Sequence, residues 1–198
     1  MTDAPAKPVR SFVAVPLPVP VQEAVFSVAD QLAGGLPGVR WSRKVENMHV
    51  TVKFLGGVEE ARLAAFGAEL QATLAAFPTF EIGVRGLGAF PSARKANVIW
   101  AGIDDPSGQL RRAAAVVETV AGRAGVGEPE TRPFRAHVTV GRAKAPVDAR
   151  ASLSDLADRW FGAATVDALH VYESRLGGGP ENTGSTYILR HRAALASN

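Results

Sequence analysis

The sequence predicts a duplicated α+β fold, two copies of strand, helix, motif strand, helix, strand, and three observations predict it. His49-Val50-Thr51-Val52 recurs as His137-Val138-Thr139-Val140, 88 residues on. A β-branched or aromatic run precedes each histidine by nearly the same length, 37 residues from Phe12 to His49 and 39 from Val98 to His137. Along each copy the apolar residues change spacing from two to three or four, as strands and amphipathic helices require. With 198 residues, 46% of them hydrophobic and 21% charged, the chain can bury a core as one domain of two lobes.

Residues 1–9, with two prolines, read as a flexible tail. Arg10 to Val15 is β-branched and aromatic, a strand stopped by Pro16. Val21 to Leu36 sets Val21, Ala24, Val25, Val28 and Leu32 at helical spacing before Gly34-Gly35 and Pro37. A short strand, Val39 to Ser42, leads to the first motif strand, Met48 to Leu55, closed by Gly56-Gly57. Glu59 to Phe77 aligns Leu63, Phe66, Leu70 and Leu74 on one helical face and ends at Pro78. Thr79 to Ala89 is a strand whose Gly83, Gly86 and Gly88 signal a bulge or a close backbone approach. The second copy has a strand at Asn97 to Ile103, a helix at Gln109 to Ala124 and a loop at Pro129 to Phe134. Its motif strand is His137 to Ala143, followed by a weaker helix, Asp148 to Phe161, and a strand, Ala164 to Ser174. After a glycine-rich loop at Gly177 to Pro180, Ser185 to His191 is the last strand. The domain then spans 10–192, with 193–198 a second tail.

Composition narrows the function. Cysteine is absent, which excludes disulfides, thiolate metal sites and cysteine nucleophiles. The net charge of +3 comes mostly from 17 Arg against 5 Lys, which suits a phosphate-bearing ligand and equally an Arg-rich composition. The apolar run Ser11 to Val21 is broken by Pro16, Pro18 and Pro20, so neither a secretion signal nor a membrane span is expected. A cytoplasmic protein with no obligatory protein partner is expected.

In a strand, His49 and Thr51 share one face while Val50 and Val52 take the other, and the second motif repeats this. Two such strands facing one cleft set two imidazoles and two hydroxyls around one small anion. An imidazole titrates near pH 6.5, so the pair can hold one proton between them, one histidine serving as acid and the other as base. The hydroxyls of Thr51 and Thr139 then donate to phosphate oxygens as charge gathers there. The scheme needs no metal or cofactor, and neither motif has a second ligand beside it, such as His-x-His or Glu-x-x-His. Arg142 is a phosphate clamp only if a bulge intervenes, because strict alternation puts it on the Val138 face. Lys53 shares the parity of His49 and belongs at the cleft rim or in solvent. Phe134, Phe90 and Trp100 suit either base stacking or the core. His170, with Tyr172 and Ser174 on its face, reads as a rim or core residue, and His191 as a surface one.

Both motifs lie within longer signatures: Phe12-Val13-Ala14-Val15-Pro16-Leu17-Pro18, Asn47-Met48-His49-Val50-Thr51-Val52-Lys53-Phe54-Leu55-Gly56, Gly86-Leu87-Gly88-Ala89-Phe90-Pro91, Arg132-Pro133-Phe134-Arg135-Ala136-His137-Val138-Thr139-Val140-Gly141-Arg142, and Tyr172-Glu173-Ser174-Arg175-Leu176. With them the chain, from Arg10 to Leu189, resembles the 2H phosphoesterase superfamily, and within it the RNA 2′,3′-cyclic phosphodiesterases also called 2′-5′ RNA ligases. Met48 and Val50 stand where leucine is usual in that family, a core substitution. The resemblance implies a bilobal α+β fold, two antiparallel sheets lining a central groove with helices packed outside, and no metal. It implies hydrolysis of an RNA terminal 2′,3′-cyclic phosphate to a 2′-phosphomonoester, with reverse 2′-5′ ligation as the same path run backwards. The partners are RNAs with 2′,3′-cyclic phosphate or 2′-phosphate ends. His49 is then the proton donor, His137 the acceptor, Thr51 and Thr139 the phosphate holders with Arg142 assisting, and Phe134, Tyr172 and Lys53 the candidate base or rim contacts. Two other readings stand beside it: a phosphodiesterase for a small cyclic nucleotide, and a non-catalytic binder of RNA ends.

Overall fold

The computed structural model describes residues 7–177 and 184–197, so most of the glycine-rich loop and the first six residues lie outside the described residues. In chain order the elements are β1 (Val9–Pro16), α1 (Val19–Ala33), β2 (Val39–Trp41), β3 (His49–Val58), α2 (Glu60–Leu74), β4 (Phe80–Ser92), β5 (Lys95–Asp104), α3 (Gln109–Ala124), β6 (His137–Val147), α4 (Arg150–Leu153), β7 (Trp160–Val166), β8 (Ala168–Leu176) and β9 (Ser185–Ala194). The helix α3 matches the expected span because Gly108 and Gly125, both at positive φ, bound its amphipathic run.

Among the described residues nine strands, paired antiparallel, form one sheet in the order β7-β4-β5-β6-β3-β1-β8-β9, with β2 also on β6. The resemblance implies two antiparallel sheets. Hydrogen bonding instead joins them at a narrow seam, one residue pair between β3 and β6, Val50 with Val138. The sheet curls far enough that β7 and β8, near its opposite ends, are separated in the chain by Asp167 alone. Helices span the seam: α1 packs on β6 and β7 and on the 3-10 turn Val45–Asn47 that leads into β3, and α3 packs on β3 and β4. One apolar core runs beneath both halves and includes Val50 and Val138, each fully buried.

Four expectations change. The stretch read as the helix Asp148 to Phe161 holds only α4 and a 3-10 turn, Ser154–Leu156, before β7 begins at Trp160. Leu153 and Leu156 give it a single apolar turn, too little to stabilise a longer helix. The single strand expected from Ala164 to Ser174 breaks at Asp167, whose carbonyl accepts the N–H of Leu195. The C-terminal tail is ordered structure through Ala196: Ala193 and Leu195 are buried, and Ala196 donates to the carbonyl of Phe77. His191 is no surface residue, since its ring lies against Gly67 of α2, where an added Cβ would come within 2.7 Å of it.

Candidate active site

Both motif strands carry the same irregularity. In the β1–β3 ladder Thr51 pairs with Ala14 and Lys53 with Val13, leaving Val52 as an extra residue. In the β5–β6 ladder Thr139 pairs with Trp100 and Gly141 with Ile99, leaving Val140 extra. Each is a β-bulge, and a bulge reverses which face the following residues take. It is the device that the alternation argument demands for Arg142, whose guanidinium lies 3.5 Å from the Thr139 hydroxyl. The same inversion turns Lys53 off the face that carries the histidines, to the part of the groove under the loop that follows α3. Its side chain is only 5% exposed and its ammonium pairs at 2.7 Å with Glu118 of α3, which stays partly exposed, so the residue expected at the rim or in solvent is a buried ammonium held by an ion pair.

The antiparallel register through Val50 and Val138 runs His49 toward Thr139 and Thr51 toward His137 on the groove face. Each imidazole is held by the carbonyl two residues before it: His49 Nδ1 lies 2.7 Å from the oxygen of Asn47, and His137 Nδ1 2.7 Å from that of Arg135. A carbonyl only accepts, so Nδ1 carries the proton in both rings and Nε2 is the free nitrogen. His49 Nε2 accepts from the Thr51 hydroxyl at 3.1 Å. Phe12 packs on His49 with centroids 5.0 Å apart, and the edge of Tyr187 meets it at 5.2 Å. Phe90 meets His137 edge-on at 5.1 Å. Burial pushes His49 down to about 4, against the bond to Asn47, and the nearby charge of His137 acts in the same direction. Burial likewise lowers His137, with Arg142 adding to it.

The groove beside them has a volume of about 1450 Å³ and is lined by Thr51, Phe54, Phe90, Phe134, His137 and Thr139, with Arg132, Arg135 and Arg142 among its basic residues. That exceeds the ~300–1,000 Å³ usual for small-molecule sites. Phe134 lines it, half-buried on the core, and Phe90 and Trp100 stack behind His137 at 5.2 Å. Tyr172 reaches the site from β8, stacked on Phe12 at 5.5 Å with its hydroxyl 2.9 Å from His170 Nδ1. Alternation alone misses Phe54, which the Val52 bulge leaves 67% exposed in the groove. The signal was present: Phe54 and Arg142 each stand five residues after their histidine. Tyr187 is also missed, because its own strand carries no motif. Among the described residues no cluster of three or more His, Asp or Glu is placed to hold a metal, and no helix is long and apolar enough to cross a membrane.

The family model of the 2′-5′ RNA ligase superfamily matches residues 20–178. An RNA 2′,3′-cyclic phosphodiesterase of Methanothermobacter thermautotrophicus is 34% identical over 140 residues, covering 70% of this chain and 73% of its own. Among solved structures, a Thermus thermophilus protein superposes with a TM-score of 0.77 at 22% identity, over 96% of this chain and 99% of its own. The Escherichia coli protein LigT, in complex with 3′-AMP, superposes with a TM-score of 0.70 at 25% identity, over 95% and 98%. With its two matched histidine motifs meeting where that groove, lined by Thr51, His137 and Thr139, joins the smaller pocket lined by His49, Tyr172 and Tyr187, this chain is an enzyme and belongs to the 2′-5′ RNA ligase superfamily, within the 2H phosphoesterases.

Proposed function

We propose that the chain hydrolyses the 2′,3′-cyclic phosphate at an RNA end to a 2′-phosphomonoester without a metal. The observation that carries this reading is the matched anchoring of the two rings, each bound through Nδ1 with Nε2 left for proton transfer. Water attacks phosphorus and gives its proton to Nε2 of His137. The bond from phosphorus to the 3′ oxygen breaks, and Nε2 of His49 protonates that oxygen. Thr51, Thr139 and Arg142 bind the non-bridging oxygens, where a charge-assisted clamp is strongest. At pH 7 the free His49 is neutral, so the phosphodiester anion must raise its pKa and load the proton. A 5′-hydroxyl in place of water gives 2′-5′ ligation at the same atoms. Phe54, Phe134 and Tyr172 supply flat apolar surface for bases, each stack contributing ~1–3 kcal/mol.

The two halves of the sheet are read as duplicated lobes whose seam is the catalytic centre, within a single domain that the C-terminal segment carries past the expected 10–192 to Ala196. The names of the relatives support an RNA substrate, and the volume of the groove favours an RNA strand over a lone nucleotide. The test is a short RNA with a 2′,3′-cyclic phosphate, incubated in EDTA with wild type, His49→Ala and His137→Ala. Wild type opens the ring to a 2′-phosphate, and each substitution slows it by ~10²-fold or more. Ring opening that survives both substitutions, or that needs an added metal, would sink the scheme. Binding without turnover would leave the RNA-end binder.

A further inference from the structure

We propose that Lys53 and Glu118 are positioning residues, a brace that sets the loop between α3 and β6 as one wall of the groove and thereby sets affinity for the nucleotides 5′ to the reacting end. The inference rests on the RNA reading above. The loop, residues 125–136, has no regular secondary structure, yet it supplies Phe134 and Arg135 to the groove, while the Arg135 carbonyl that holds His137 lies at its β6 end, away from the braced backbone groups. It crosses directly over β3. Gly127, at φ +73°, lies so close that a Cβ there would stand 3.0 Å from the carbonyl oxygen of Phe54 and 3.2 Å from the Cα of Leu55.

Under that crossing lies the ammonium of Lys53. It donates to a carboxylate oxygen of Glu118 at 2.7 Å and to the carbonyl of Glu128 at 2.8 Å. The other oxygen of Glu118 accepts the backbone N–H of Glu130 at 3.2 Å. The Glu130 carboxylate in turn takes the guanidinium of Arg132 by two bonds of 2.9 Å and its backbone N–H at 3.0 Å. One ion pair thus fixes the loop backbone at two places two residues apart, and through Glu130 orients a basic side chain. Burying an ammonium is costly unless it is paired and fully hydrogen-bonded, and an apolar side chain would fill the same space without that penalty. What the apolar side chain lacks is a grip on the two backbone groups. A cyclic mononucleotide is held chiefly at its phosphate, by the histidines, threonines and Arg142, whereas a longer strand in the groove also meets the braced wall.

Steady-state kinetics on a nucleoside 2′,3′-cyclic phosphate and on a tetranucleotide with the same end test the brace. Lys53→Met and Glu118→Gln should each raise KM for the tetranucleotide by about fivefold or more, with kcat within about twofold and the mononucleotide unaffected, as lost uniform binding requires. The double variant Lys53→Met/Glu118→Leu leaves no unpaired buried charge. It should melt near the wild type and still show the raised KM, which separates loop placement from stability. If Lys53→Met does not fold, the double variant carries the comparison. An unchanged tetranucleotide KM, or equal losses on both substrates, would overturn the brace. Should wild type open neither ring, the hydrolase reading fails by itself, and the same variants are then compared by the Kd of a tetranucleotide bearing a 2′-phosphate.

Discussion

At the level of single residues the two histidines differ in environment and not in anchoring. His49 is pushed down to about 4 by burial and His137 lies below its usual 6.5. The base must be neutral and the acid protonated, and kcat/KM reports the free enzyme. Its maximum is therefore expected below pH 6.5, falling as pH rises further, while kcat, measured with the anion bound, holds to higher pH. A kcat/KM optimum above pH 7 would contradict the assignment. Stability follows the same sign. A histidine whose folded pKa is depressed contributes fully above 6.5, and that contribution is lost as pH falls toward 4. The melting temperature should drop across that window, and drop less in His49→Gln. The histidines and threonines were legible because the pattern repeats. Strict alternation puts Lys53 and Arg142 on the wrong faces because it assumes an unbroken register, and a bulge of one valine in each strand breaks it; Arg142 is readable as a phosphate clamp only on the condition of such a bulge.

At the level of elements, the glycines of β4 were legible as close approaches, although their partner was not. Gly88 is the floor under the indole of Trp100, where an added Cβ would fall 2.3 Å from the ring. Trp100 supports Phe90, and Phe90 meets His137. Gly88→Ala should cost ~1–3 kcal/mol in urea unfolding, the usual penalty of overpacking. Because the strain passes through two aromatic rings to His137, kcat should fall as well. A stable variant of full activity would show that Trp100 moves aside freely. The weak helix after β6 was misread because periodicity over a few alanines and leucines looks helical, whereas β7 is set by its pairing with β4, which no local pattern reveals.

Across the whole molecule, the C-terminal segment acts as a clasp. Leu195 bonds to Asp167 between β7 and β8, and Ala196 bonds to Phe77 and Thr79 ahead of β4, so it ties the two ends of the curled sheet together. Ending the chain at Arg192 removes buried Ala193 and Leu195 and should destabilise by ~2–5 kcal/mol, the loss of a buried leucine and its cavity. A truncated chain with an unchanged unfolding midpoint would return the segment to the status of a tail. Its short apolar run gave no sign of this, since the partners lie far off in sequence. The single-pair seam has a mechanical meaning. His49 and His137 stand on opposite sides of it, so in the proposed scheme the gap between proton donor and proton acceptor is an angle between two plates, held by the struts α1 and α3 and not by any bond between the rings. Catalytic rate is then a gauge of that angle, and a lesion in the packing of a distant helix registers at the phosphate as a change of reach.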